Sequence, residues 1–79
     1  MNTETLNLRS QPLERFIRIS DVIDLTGLSR SYIYDLAKRG LFPQSVSLVP
    51  GGNARAWVLS EVLNWQEDRI AERENSNVH

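Results

Sequence analysis

The stretch TGLSRSYIYDLAKRG, residues 26–40, decides the fold of this 79-residue chain. It predicts the end of one helix at Gly27, a sharp turn, and a second short helix that Ser29 caps and Gly40 terminates. The apolar residues of this second helix fall on one side, at Ile33, Leu36 and Ala37. Two helices joined in this way predict a helix-turn-helix, whose second helix can present its first turn to a DNA groove.

The first helix is predicted over residues 21–26. Ser20 is its expected N-cap, and Asp21 places a negative charge at the positive end of the helix dipole. Residues 15–19 alternate weakly between polar and apolar types, which predicts a short extended segment before the helix.

A β-hairpin and a third helix are predicted after the second helix. Residues 46–48 alternate like a half-exposed strand, residues 50–53 are a Pro-Gly-Gly-Asn turn signal, and residues 54–58 are the expected return strand. Ser60 is the expected cap of a third helix that frays beyond Ile70, with an apolar side made by Val62, Leu63, Trp65 and Ile70. Together these elements predict an α+β, mainly helical, winged helix-turn-helix fold with three helices and a hairpin wing.

The length allows one domain. We expect residues 1–14 to be a flexible N-terminal arm, residues 15–70 the winged domain, and residues 71–79 a polar C-terminal tail. No apolar run fits a signal peptide or a bilayer span, so a cytoplasmic protein that does not contact a membrane is expected.

Charge is divided along the chain. The net charge is −1, yet residues 15–60 sum to +3 and residues 61–79 to −3. Salt screens charges beyond about 10 Å, so the local sign at a contact face matters more than the total. A mildly basic domain followed by an acidic segment is compatible with nucleic-acid binding.

Enzymatic constellations are missing from the sequence. The chain has no cysteine, and its single histidine is His79, the last residue. It has no HExxH motif and no glycine-rich phosphate loop, and no histidine is placed to activate a serine. The sequence therefore predicts a protein that is not an enzyme, that holds no cofactor or metal, and that takes no small-molecule ligand.

Candidate DNA contacts begin in the first turn of the second helix. Arg30 can bind guanine or phosphate, and Ser31 can bond to base or phosphate. The helix dipole disfavours a cation at this end, which favours a functional role for Arg30 over a simply solvated turn. Tyr32 and Tyr34 cannot both face inward, so one is expected to flank the core and the other to lean toward solvent. Either hydroxyl can reach a phosphate, and the alternative is that both rings only cover core edges.

Lys38 and Arg39, in the last turn, are further candidates for contact with the DNA backbone. Cations stabilise a helix C-terminus without any ligand, so that alternative stays open. Asp35 stands on the exposed face, and the favoured interpretation pairs it with Arg39 one turn later.

The hairpin supplies Asn53 and Arg55. An arginine on a wing can enter a minor groove or bind phosphate, and the alternative is a solvated hairpin residue. Strict alternation places Arg55 on the face of Trp57, which is expected to be buried. A bulge after the two glycines is one way to free it.

Several of these segments resemble the AlpA family of phage and prophage regulators, small relatives of MerR-type winged-helix domains and of excisionases. They are RFIRI at 15–19, TGLSRSYIY at 26–34, GLFP at 40–43, AW at 56–57 and SEV at 60–62. The resemblance covers about residues 15–66. It implies a MerR-like fold in a protein that binds double-stranded DNA and activates a promoter or assists excision by an integrase.

On that resemblance the second helix enters the major groove and the wing carries Arg55 to the adjacent minor groove or backbone. The contact role then falls on Arg30, Ser31, Tyr34 and Lys38. Family members often carry a basic residue in place of Asp35 and more cations near Gln44 and Ser45. An integrase and further copies of the chain on DNA are the additional partners implied.

Two other functions remain open. A protein-interaction module on the same scaffold could inhibit a transcription regulator or an integrase by contact. Self-association could use Ile70 and a surface made by Val62 and Trp65.

Overall fold

The computed structural model describes residues 14–76. Apart from Glu14, the expected arm at residues 1–14 lies outside the described residues, as do residues 77–79 with His79. The elements in chain order are β1 (Phe16–Ile17), α1 (Ile19–Thr26), α2 (Arg30–Lys38), β2 (Val46–Ser47), β3 (Arg55–Val58) and α3 (Leu59–Ser76). The α+β, mainly helical, winged helix-turn-helix prediction is confirmed.

The sheet has three antiparallel strands in the order β1-β3-β2. Strands β2 and β3 form the predicted hairpin, the wing, in which Val46 pairs with Ala56 and Ser47 with Arg55. Strand β1 pairs on the other side of β3, where Ile17 lies opposite Trp57. The extended segment predicted before the first helix is therefore a strand that fixes the start of the domain to the wing.

The core is one small cluster to which almost every element contributes. Its buried members are Ile17, Val22, Ile33, Ala37, Phe42, Trp57 and Val62. Trp57 is the largest fully buried side chain, and its indole N–H donates to the Pro43 carbonyl at 3.0 Å. Because that polar atom is satisfied, the ring contributes its full apolar area to a domain with little else to bury.

Helix α1 starts earlier than predicted. Its N-cap is Arg18, and Ser20 lies inside the helix, so the prediction that Ser20 caps it is wrong. The carboxylate of Asp21 accepts a hydrogen bond from the Arg18 backbone N–H at 3.2 Å. Since β1 pairing ends at Ile17, the sheet sets where the chain turns into the helix.

The turn between α1 and α2 forms as predicted. Gly27 has φ 75°, and its N–H donates to the Ile23 carbonyl at 2.8 Å. Ser29 is the N-cap of α2, and its hydroxyl oxygen accepts from the Tyr32 N–H at 3.2 Å. These local bonds satisfy backbone groups that a helix end otherwise leaves unpaired.

Helix α2 ends at a Schellman motif. Gly40 has φ 76°, and the Leu41 N–H donates back to the Leu36 carbonyl at 2.8 Å. The Gly40 N–H donates to the Ala37 carbonyl at 3.0 Å. The prediction that Gly40 terminates this helix is confirmed.

Helix α3 differs from its prediction at both ends. It begins at Leu59, whose N–H donates to the Arg15 carbonyl at 2.8 Å, so Ser60 lies in the first turn and is not the cap. It continues past Ile70 to Ser76. Of the predicted apolar side, Val62 is fully buried, whereas Leu63 and Ile70 are 41% and 49% exposed, so the core covers this side only in part.

The longest of the described helices, α3, has 18 residues, and seven of them are charged. Within residues 14–76 no helix combines the length and apolar character required to cross a bilayer.

Candidate nucleic-acid interface

The outer surface of α2 carries two stripes of side chains. At 100° per residue, Ser31, Tyr34 and Lys38 stack along one line, three and then four residues apart. Tyr32, Asp35 and Arg39 stack along a second line with the same spacing. We call the first set the wing-side stripe. We call the second set the groove-side stripe, because Tyr32 lines an open groove of the protein between α2 and α3.

Tyr34 fixes the orientation of the wing-side stripe. Its ring centroid lies 5.8 Å from that of Trp57 in β3, with the ring planes tilted by 54°. Trp57 and Arg55 are two residues apart on one strand, so their side chains leave the same face. The wing-side stripe and Arg55 are therefore on the same side of the sheet.

Tyr32 and Tyr34 differ less in solvent exposure than the sequence predicted. Tyr34 flanks the core through Trp57, as predicted for one of them, yet 42% of it is exposed. Tyr32 leans to solvent at 49% exposure. Both rings keep an accessible face, on opposite stripes of α2.

Arg30 and Ser31 occupy the exposed first turn of α2. Arg30 stands one turn before Tyr34, which places it beside the wing-side stripe. No acidic residue lies in this turn, so the positive end of the helix dipole and the Arg30 charge add without internal compensation. The turn is suited to receive an anionic group.

A short chain of hydrogen bonds connects α2 to the wing. The Gln44 amide donates to the Ala37 carbonyl, in the last turn of α2, at 2.7 Å. The next residue, Ser45, accepts from the Arg55 guanidinium: Nε to the Ser45 hydroxyl at 2.7 Å, and Nη2 to its carbonyl at 3.1 Å. The bonds made by Gln44 and Ser45 thus hold helix and wing together at the candidate interface.

Arg55 is exposed without the bulge that the sequence suggested. Val46–Ala56 and Ser47–Arg55 are consecutive pairs in an unbroken register. Arg55 escapes burial because it is the first residue of β3, where its side chain lies over Ser45 beyond the core. Asn53 is also exposed, two residues earlier in the turn.

Arg18 and Ser45 are the residues at this surface that the sequence analysis did not single out. The Arg18 Nε–H donates to the Arg55 carbonyl at 2.9 Å, at the place where the β1–β3 backbone ladder ends. Both contacts to Arg55 join residues ten or more positions apart. No local sequence pattern predicts such contacts, and the alternation of residues 15–19 predicted only that this segment is extended.

The groove-side stripe is partly neutralised. Asp35 and Arg39 form an ion pair with Nη1···Oδ2 of 3.2 Å, with more than half of each side chain exposed. The interpretation that Asp35 pairs with Arg39 is confirmed. Such an exposed pair adds little stability, so Arg39 can exchange its partner at small cost.

The cations on and beside the wing-side stripe differ from Arg39 in their pairing. Within residues 14–76 the ion pairs are Asp35–Arg39 and Arg69–Glu72. Lys38, Arg30, Arg18 and Arg55 therefore have no carboxylate partner in this part of the chain. Their charge is available to an external anion.

A helix-turn-helix followed by a hairpin wing, with cations on both that no described carboxylate neutralises, defines a winged helix-turn-helix protein. Residues 15–70 match the family described as Prophage CP4-57 regulatory protein (AlpA). That match covers well over half of the chain, so the protein belongs to the AlpA family of prophage regulatory proteins. The resemblance seen in the sequence is confirmed.

A phage protein is also similar to this chain. "Uncharacterized protein ORF88" of Enterobacteria phage P4 is 53% identical over 60 residues, which are 76% of this chain and 66% of the relative. The matched segment thus spans just under two thirds of that relative's length. No solved structure matches the chain.

Proposed function

We propose that this protein binds double-stranded DNA as a regulator belonging to a phage or an integrated element. The observation that carries the proposal is the Tyr34–Trp57 contact, because it brings the wing-side stripe of α2 and Arg55 to one side of the sheet. The AlpA family supplies the regulatory role. The proposal includes no catalytic step, cofactor or small-molecule ligand.

In the proposed complex, α2 enters the major groove by its first turn. Arg30 and Ser31 are then closest to base edges and phosphates, and the helix dipole favours a phosphate at this end. Tyr34 and Lys38 lie further along the same stripe and contact the backbone. Tyr32 and Arg39 approach the opposite strand from the groove-side stripe.

The wing completes the footprint. Arg55 reaches the adjacent minor groove or a backbone phosphate, and Asn53 lies on the same hairpin, closer to its tip. Local rather than total charge governs such a contact, which is how a chain of net charge −1 can bind a polyanion.

The test is the salt dependence of binding to a duplex selected from a random-sequence pool. With about three to five phosphate contacts, the slope of log affinity against log salt should be about −3 to −4.5. Arg30→Ala and Lys38→Ala should each lower affinity several-fold and make the slope less steep by about 0.9.

Arg73→Ala is the matched control, because Arg73 is an exposed arginine in the last turn of α3, away from the wing-side stripe. It should leave affinity and slope unchanged. A wild-type slope near zero, or equal effects of Arg73→Ala and Lys38→Ala, contradicts the proposed interface.

Two roles in DNA metabolism fit this proposal. An excisionase should place several copies on adjacent direct repeats, bend the site and act beside an integrase. A promoter activator should place one or a few copies near a transcription start. Counting copies per duplex and measuring the bend by gel mobility separates the two roles.

A protein-interaction module is the second candidate, and an open groove between α2 and α3 favours it. Apolar side chains of Leu41, Phe42 and Trp65 line the groove, together with the carboxylates of Glu61 and Asp68. A protein partner retained by Arg30→Ala and Arg55→Ala, with no DNA affinity in the wild type, would support this alternative.

The self-association surface suggested by the sequence is smaller than expected. Val62 is fully buried and unavailable. Leu63 and Ile70, seven residues apart on α3, are the exposed apolar pair that remains there. Sedimentation with and without duplex determines whether further copies associate only on DNA.

A further inference from the structure

We infer that Ser45 is a positioning residue: it holds the Arg55 guanidinium so that the free edge of that group is presented to a backbone phosphodiester. The inference rests on the proposed function, since it concerns how the wing binds DNA. It assigns a role to a residue that carries no charge and that has no place in the helix-turn-helix.

The geometry defines which edge of Arg55 is used. Nε and Nη2, on one edge of the planar group, donate to the Ser45 hydroxyl at 2.7 Å and to its carbonyl at 3.1 Å. The Nη1 and Nη2 donors along the other edge have no partner within residues 14–76. A guanidinium held by two bonds at one edge keeps a fixed direction at the other, which suits the two-oxygen geometry of a phosphate.

The main chain of Arg55 is fixed as well. Its carbonyl accepts from the Arg18 Nε–H at 2.9 Å, and its backbone pairs with Ser47 in the wing. Ser45 itself follows Gln44, which is bonded to the end of α2 through the Ala37 carbonyl at 2.7 Å. The position of the Arg55 side chain is therefore set relative to α2 before any ligand arrives.

Holding a long side chain in place changes the cost of binding. A free arginine on a hairpin loses rotamer freedom when it meets a phosphate, whereas a side chain already held loses less. Removing the Ser45 hydroxyl leaves the charge of Arg55 and its bond to the Ser45 carbonyl in place, but a guanidinium held by one bond instead of two can rotate. Affinity should fall while the number of phosphates contacted, and hence the salt slope, stays nearly constant.

A double-mutant cycle on the selected duplex tests this. Ser45→Ala alone should weaken binding about fivefold with little change in slope, and Arg55→Ala alone about tenfold with a slope smaller by about 0.9. In the Arg55→Ala background, Ser45→Ala should have no further effect, because nothing remains to be positioned. Ser45→Thr, which keeps the hydroxyl, should bind within about twofold of wild type.

The possible outcomes distinguish a failure of the positioning role of Ser45 from a failure of the proposed DNA binding. Wild-type protein that binds no duplex overturns both. Wild-type protein that binds with the expected slope, while Ser45→Ala weakens binding equally with and without Arg55, overturns the inference alone. The same holds if Ser45→Ala has no effect in either background. Urea unfolding of each variant shows whether a lost affinity reflects a lost fold.

Discussion

Ser29 and Ser31, two positions apart, differ in what their side chains contribute to the fold, although their hydroxyl oxygens lie 3.5 Å apart. The Ser29 hydroxyl oxygen accepts the Tyr32 backbone N–H at 3.2 Å, whereas Ser31 is exposed in the wing-side stripe. Ser29→Ala should lower the free energy of unfolding by about 1 kcal/mol, the usual value of an N-cap. Ser31→Ala should leave stability within about 0.5 kcal/mol of wild type.

Urea unfolding followed by tryptophan fluorescence measures both variants, since Trp57 is buried in the folded state. Equal stability losses for the two serines would show that the cap contributes nothing particular to α2.

Single residues were predictable wherever their partner is close in the chain. Gly27 and Ser29 were assigned correctly because a left-handed turn and a serine cap involve bonds within four residues. Arg18 was not recognised as a cap or as a wing contact. Its cap position depends on β1 pairing, and its bond to Arg55 spans 37 residues. Such contacts exist only once the sheet has formed.

At the scale of elements, the termination of α2 depends on one glycine. Gly40 has φ 76°, and a Cβ added there meets nothing within 4 Å. The whole cost of Gly40→Ala is therefore backbone strain, about 1–2 kcal/mol. Gly40→Asn should cost less, because asparagine adopts this conformation more readily.

Thermal unfolding compares the two variants, and 1 kcal/mol corresponds to about 4–8 °C for a domain of this size. If alanine and asparagine have the same midpoint, the left-handed backbone is not what limits stability at Gly40.

Helices and strands were predicted best where a capping serine or a turn glycine stands at their ends. Helix α2, with a serine at one end and glycine at the other, matches its prediction, as does the hairpin around Gly51 and Gly52. Helix α3 was placed wrongly at its start, because β3 runs into it directly and Leu59 bonds to the Arg15 carbonyl. The Arg15 carbonyl, which is distant in the sequence, thus accepts a backbone N–H at the start of α3, where the sequence predicted capping by the Ser60 side chain.

Across the whole molecule, charge of opposite sign is concentrated on different elements. Helix α3 carries five carboxylates against two arginines, and its 18 residues extend over about 27 Å. The far turns lie more than a Debye length of about 8 Å from the wing at physiological salt. The carboxylates in these far turns therefore oppose the proposed DNA binding mainly when salt is low.

Neutralising the far acids tests that separation. Glu72→Gln with Glu74→Gln should raise affinity for duplex several-fold at about 0.01 M salt and leave it unchanged at about 0.15 M. Anisotropy titrations across this range provide the measurement. A gain of equal size at both salt concentrations would mean that these side chains act at short range on the bound duplex.

The attachment of α2 at both ends has a thermodynamic consequence. Its first turn is capped by Ser29, and just beyond its last turn the Leu41 carbonyl accepts the Trp65 indole N–H at 2.9 Å. A helix secured in this manner has already lost its conformational freedom when the chain folds. Association through it is then rigid-body docking, with a heat-capacity change set by the area covered and no contribution from coupled folding.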